Sequence, residues 1–96
     1  MQIGKVVGTV VSTRKDEKLE GLKFQMVEFV DLEGRPTGGI VVAIDSVGAG
    51  EGEIVLTAAG SSARQTNITK EKPVDAVIMA IVDQVEIGGI NKYIKK

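Results

Sequence analysis

The segment Val42-Ala43-Ile44-Asp45-Ser46-Val47-Gly48-Ala49-Gly50-Glu51-Gly52-Glu53-Ile54-Val55-Leu56, with Gly60-Ser61-Ser62-Ala63-Arg64 close behind it, carries the clearest structural signal in this chain. An apolar run enters a loop with glycine at every second position, and a second apolar run leaves it for a small-residue turn ending in arginine. The runs read as two strands, Ile40 to Ile44 and Glu53 to Ala58. Their apolar residues are continuous rather than alternating, which predicts covered outer faces, most simply by another subunit. A loop with such small side chains suits close backbone approach by a neighbouring chain better than it suits catalysis.

Outward from that segment, the glycines punctuate further apolar stretches. Residues 2–13 are rich in Val and Thr and read as a long strand, with Gly4 and Gly8 as bends or bulges of a strongly curved sheet. Arg14 to Gly21 is a charged connection. Leu22 to Val30 reads as a strand whose apolar positions change phase between Met26 and Val27, which means a bulge or burial on both faces. Asp31 to Gly39, with Glu33-Gly34 and Pro36, reads as a hairpin loop.

Residues 61–72 are polar and read as a turn followed by a mobile loop. Val74 to Ile87 fits helical and strand periodicities alike; its Ile and Val content favours a brief helical turn at Pro73–Ala76 followed by a strand. Asn91 to Lys96 is basic and reads as a frayed end or an interaction arm. The expectation is one domain over residues 1–96, with a barrel over about residues 2–87 and a basic tail over 88–96. The fold class expected is all-β: a small five-stranded OB-like barrel with one short helical turn.

Composition narrows the chemistry. The chain has 96 residues, of which 43% are hydrophobic, and Phe24, Phe29 and Tyr93 are its only aromatic residues. At this length folding removes roughly 60–70% of the unfolded chain's surface, so association with further copies would add needed burial. Cysteine and histidine are both absent, which removes disulfides, thiolate metal sites, the commonest general base and the commonest transition-metal ligand. No apolar run approaches the roughly 20 residues of a membrane-spanning helix. A cytoplasmic protein with no membrane partner, no metal and no cofactor is the expectation. The net charge is −1, with 12 basic and 13 acidic residues interspersed, and that balance argues against nucleic acid as the main partner.

The chemical readings of the loop fail one by one. A dinucleotide fingerprint needs a further glycine where Glu53 stands and a helix after it, whereas a strand follows. Asp45, Glu51 and Glu53 could serve as paired acids or a hard-cation site, but glycine between acids presents nothing rigidly. Asp45 is better read as capping the turn, with Glu51 and Glu53 facing solvent or a partner's Lys or Arg. Ser61 and Ser62 have no base to activate them, and are better suited to capping a helical turn, with Arg64 reaching carbonyls or a carboxylate. Catalytic residues are therefore not expected. The rival is a stand-alone OB-type module binding single-stranded nucleic acid or a small ligand; such binders need stacking aromatics and a basic groove, and Phe24 and Phe29 stand in apolar context.

Beyond these readings, the chain resembles the EutN/CcmL family of bacterial microcompartment vertex proteins. The resemblance runs from Gly4 to Asp83. It is carried by Val6-Val7-Gly8, Val42-Ala43 with Asp45, Val47-Gly48-Ala49-Gly50, Gly52-Glu53 with Val55-Leu56, Gly60-Ser61-Ser62-Ala63-Arg64, and Pro73-Val74-Asp75-Ala76 with Ile81-Val82-Asp83. It implies a structural, non-enzymatic shell protein: an OB-like barrel that forms a homopentamer at the corners of a polyhedral shell otherwise tiled by hexameric shell proteins. Under that resemblance, Gly48, Ala49, Gly50, Glu51, Gly52 and Glu53, together with Gly60, Ser61, Ser62, Ala63 and Arg64, are expected at the subunit interface or the axial pore.

Overall fold

The structure is a computed structural model describing residues 1–95. Strands β1 (Gln2–Val10), β2 (Phe24–Val30), β3 (Pro36–Asp45), β4 (Ile54–Ala59) and β5 (Ala76–Ile81) close a barrel in the order β1-β2-β3-β5-β4. All pairings are antiparallel except β3 with β5, where Ile44 lies beside Val77 and Asp45 beside Ile78. The all-β, five-stranded OB-like expectation holds. Strands β6 (Gln84–Ile87) and β7 (Ile90–Ile94) form a separate two-stranded hairpin.

Curvature comes from register shifts where the sequence changes phase. One shift lies between Val6 and Gly8 of β1, and another between Glu28 and Val30 of β2. The second moves the inward set of β2 from Gln25 and Val27 to Val30, all three buried. Phe24 and Phe29 are only half-buried.

Two apolar layers hold the barrel. Val6, Val27, Ala43, Ala49, Val55, Ala76 and Ile78 fill the interior. Ile44, Ala58, Ala63, Val74 and Val77 form a second cluster, with Leu19, Leu22, Phe24 and Met79 packed against it. Adjacent residues Val77 and Ile78 belong to different clusters and are both fully buried. The outer cover predicted from the continuous apolar runs therefore comes in large part from the chain itself. Ala63 and Val74 lie against Ile44, Ala58 and Val77. Small side chains suit this: two thin layers share one sheet.

Several local expectations are corrected. Pro73–Ala76 forms no helical turn, because Ala76 already belongs to β5. The helical turns are instead two short 3-10 segments, Glu17–Leu19 and Gly60–Arg64. Strand β1 ends at Val10 rather than residue 13, and β3 begins at Pro36 rather than Ile40. The 61–72 stretch is folded, since Thr69 is fully buried and its hydroxyl lies 2.6 Å from that of Thr66. The tail is not frayed over Ile90–Ile94, which pairs with β6; Lys96 lies outside the described residues.

Candidate subunit interface

The glycine loop between β3 and β4 is organised by Asp45. Its Oδ1 accepts the N–H groups of Val47 at 3.0 Å and Gly48 at 2.9 Å, the turn-capping role expected of it. Gln25, 1% exposed, donates from Nε2 to the Ala49 carbonyl at 2.7 Å and to Asp45 Oδ2 at 3.3 Å. Its Oε1 accepts from the Thr9 hydroxyl at 3.0 Å. A fully connected polar network of this kind fixes the loop, since each member would be costly to leave unpaired. Burial works to raise the Asp45 carboxyl; the N–H groups of Val47, Ala49 and Gly48 and the Gln25 amide outweigh it and hold it below the ordinary carboxylate range.

Within the loop, Gly48 and Gly52 have φ of 77° and 89°, a region that favours glycine. Ala49 points into the barrel interior and is buried. At Gly50 an added Cβ would meet only Glu53 Oε1, at 3.4 Å. Glu51 is exposed. Gly52 and Glu53 extend the β1–β4 ladder, with Gly52 N–H donating to Val6 O at 2.7 Å and Val6 N–H to Glu53 O at 3.0 Å.

Glu53 does more than face solvent. Its Oε1 accepts the Gly50 N–H at 2.6 Å and its Oε2 lies 2.7 Å from Lys95 Nζ. The Lys95 ammonium first, and the Gly50 N–H second, lower the Glu53 carboxyl below its ordinary value of 4.5. Reciprocally, the bond to Glu53 raises the Lys95 ammonium above 10.5. The Lys95 N–H also donates to Asp83 O at 2.8 Å, and Lys92 Nζ lies 3.3 Å from Glu33 Oε1. The C-terminal hairpin is thereby latched to the loops at one end of the barrel.

The signs of these shifts set a pH window for the latch. A lowered Glu53 contributes attachment that is present above its unfolded value and lost as pH falls through its folded one. A raised Lys95 contributes attachment that is present below its unfolded value and lost as pH rises through its folded one. The hairpin is thus expected to loosen at both extremes and stay closed between roughly pH 5 and pH 10. Tyr93 is the only tyrosine in a chain without tryptophan, so its fluorescence reports hairpin opening on the acid side. Lys95→Ala should broaden or erase the acidic transition, and an unchanged one would remove Glu53–Lys95 as its cause.

At the second segment, Gly60–Arg64, Ala63 is fully buried and Gly60 N–H donates to Asp75 O at 2.9 Å. Ser61 and Ser62 are exposed, and no side chain caps the turn. The serine-capping role is not realised. Arg64 Nη1 donates to Val74 O at 2.9 Å within the same chain, the carbonyl contact expected of it. The two segments thus occupy separate places: Gly48 to Glu53 runs from Asp45 to the start of β4, and Gly60 to Arg64 packs over β4 and β5.

Part of the outer surface of β3 stays bare. Ile40 and Val42, alternate residues on β3, are 58% and 46% exposed; beside them on β2 lie half-buried Glu28 and Met26. Sequence reasoning missed which part of β3 stays bare, the buried Gln25 and the role of Lys95. Gln25 had a signal, being in phase with inward Val27. Lys95 had none, because its partner lies 42 positions away in sequence.

Comparison with known proteins places this architecture. The family model described as ethanolamine utilisation protein EutN/carboxysome matches residues 1–83. The carboxysome shell vertex protein CcmL of Gloeobacter violaceus is 45% identical over 96 residues, covering 100% of this chain and 96% of that protein. Its solved structure aligns with a TM-score of 0.94 at 44% identity, over 99% of this chain and 98% of that one. The bacterial microcompartment shell vertex protein EutN of Salmonella typhimurium is 46% identical over 89 residues, 93% of this chain and 90% of that protein. The pentameric microcompartment shell protein GrpN of Rhodospirillum rubrum aligns with a TM-score of 0.83 at 47% identity, covering 91% of this chain and 99% of that one.

Proposed function

The chain belongs to the EutN/CcmL family, and from that premise we propose that it is a structural shell protein whose homopentamers cap the vertices of a polyhedral bacterial microcompartment in the cytoplasm. The observation that carries this reading is the full-length likeness to proteins named as shell vertex proteins, one of them pentameric in its solved structure. The work is geometric. Hexagons alone tile a flat sheet, and closing it into a polyhedron requires pentagons at the corners. A five-fold ring is a head-to-tail interface closed by rotation, so each copy must present two different surfaces.

Its immediate partners are four further copies, and beyond them the hexameric shell proteins around each vertex. A non-catalytic role fits the loop acids, because Asp45 and Glu53 are occupied in holding the loop and the hairpin. Gly48 to Glu53 and Gly60 to Arg64 are the segments at the interface or pore, and residues 1–96 form the vertex domain. With balanced charge and few aromatics, nucleic acid is not a partner.

Native mass spectrometry tests the reading directly. Five copies per particle are expected at micromolar concentration. A species of one copy that persists as concentration rises would overturn it.

A further inference from the structure

Between the C-terminal hairpin and the barrel lies a cavity of about 260 Å³. Its apolar walls are Ile3 of β1, Val30 of β2, Ile54 of β4 and, from the hairpin, Val85 and Tyr93. Val85 and Tyr93 lie opposite each other in the β6–β7 ladder, so both present one face to this space. Leu32, 68% exposed, also borders it. A dry apolar cavity of about 150 Å³ is enough to take up benzene, so this one has room for a hydrocarbon body of about eight carbons.

Four ionic side chains stand around the cavity, and three are already engaged. The Asp31 carboxylate accepts the N–H groups of Glu33 and Arg35 at 2.8 and 3.0 Å and lies 3.5 Å from the Arg35 guanidinium. Glu33 and Lys92 are paired at 3.3 Å. The fourth is Lys5. It lies opposite Ile54 in the β1–β4 ladder, so its stem shares the face that borders the cavity. Among the described residues, no carboxylate comes within 4.0 Å of its ammonium. Glu28, its neighbour across the β1–β2 ladder, does not line the cavity. An apolar space with one uncommitted cation matches an apolar molecule with one negative end.

We propose that this cavity binds a small aliphatic monocarboxylate, its hydrocarbon chain among Ile3, Ile54, Val85 and Tyr93 and its carboxylate on Lys5 Nζ. All these residues belong to one chain, so the site goes beyond the vertex role and stands apart from the number of copies in the ring. Because barrel and hairpin each supply part of the walls, the bound molecule favours the closed hairpin.

Octanoate is the probe, added to the full chain at neutral pH and read through Tyr93, its only tyrosine. A saturable change with a dissociation constant of about 1 mM or tighter is expected. At about ten times that concentration, amide exchange in β6 and β7 should slow about tenfold, because opening must first release the molecule. Lys5→Met, at an exposed position, keeps an apolar stem and should keep the circular dichroism of the folded chain. It should weaken octanoate by at least about tenfold and leave neutral 1-octanol unchanged. Val85→Phe should fill the cavity and abolish binding of both. No saturable change by roughly 10 mM octanoate, tenfold above the expected constant, overturns the site. Equal octanoate affinity in Lys5→Met overturns the carboxylate contact, and octylamine binding better than octanoate overturns the anionic class. A Tyr93 change without slower exchange in the hairpin, or one that survives in Val85→Phe, places the molecule elsewhere and overturns the proposal too.

Discussion

Asp45→Ala lowers the stability of the folded subunit by about 3 kcal/mol, because the buried Gln25 amide and two loop N–H groups lose their acceptor at once. The N–H groups of Val47 and Gly48 and one N–H of the Gln25 amide converge on this carboxylate. For a domain of this size that loss lowers the melting temperature by about 15 °C. Denaturation must be compared at one protein concentration, since association stabilises the folded subunit by mass action. Asp45→Asn separates shape from charge. It keeps an acceptor for the loop but turns an amide nitrogen toward the Gln25 amide, and should cost about 1–2 kcal/mol.

The acid limb gives a second readout for Asp45. Its carboxyl is held below the ordinary range in the folded chain. Its contribution is therefore present above the unfolded value and lost as pH falls through the folded one. Asp45→Asn should flatten that part of the stability profile. A loss under about 1 kcal/mol for Asp45→Ala would mean that water replaces the carboxylate freely and the network is not what holds the loop.

The other large effect is steric. A Cβ at Gly4 would lie 2.5 Å from Val27 Cγ1 and 2.9 Å from the Glu28 carbonyl oxygen. Val27 is fully buried in the interior cluster and cannot swing away, and the carbonyl belongs to the neighbouring strand. Gly4→Ala therefore has to part β1 from β2, at a cost of about 3 kcal/mol. Gly8, in the same strand, has nothing within 4 Å of such a Cβ, so Gly8→Ala should change stability by no more than about 0.5 kcal/mol. Urea titrations of the two variants side by side decide the matter; equal effects would mean that β1 yields to the methyl group.

Gly4 and Gly8 also show where sequence reasoning stops. Both sit in an otherwise Val- and Thr-rich strand and invite the same reading as bends. Only Gly8 lies at a register shift, whereas Gly4 allows a crossing strand to approach. Nothing local distinguishes them, because the neighbour that decides is Val27, far along the chain.

The C-terminal hairpin was more legible than its basic character suggested. Val85 and Ile87 alternate up to Gly88-Gly89 and Ile90, a recognised hairpin pattern, but the lysines of residues 92–96 drew the reading toward a loose tail. Those at 92 and 95 are paired, with Glu33 and Glu53. At Pro73 the opposite error occurred. A local helix-start signal was overridden because Val74 is needed in the outer cluster and Ala76 in the sheet.

Taken alone, the sequence settled what depends on short-range chemistry: β-branched runs make strands, glycines make the turns, Asp45 caps its loop, and the lack of His and Cys narrows the catalytic options. Its motifs also sufficed to point to the family. Only the tertiary structure decided which apolar residues stay uncovered, since burial is a property of partners distant in the chain. Ile44 and Val42 look alike in sequence, yet Ala63 and Val74 close over the first side and leave the second bare.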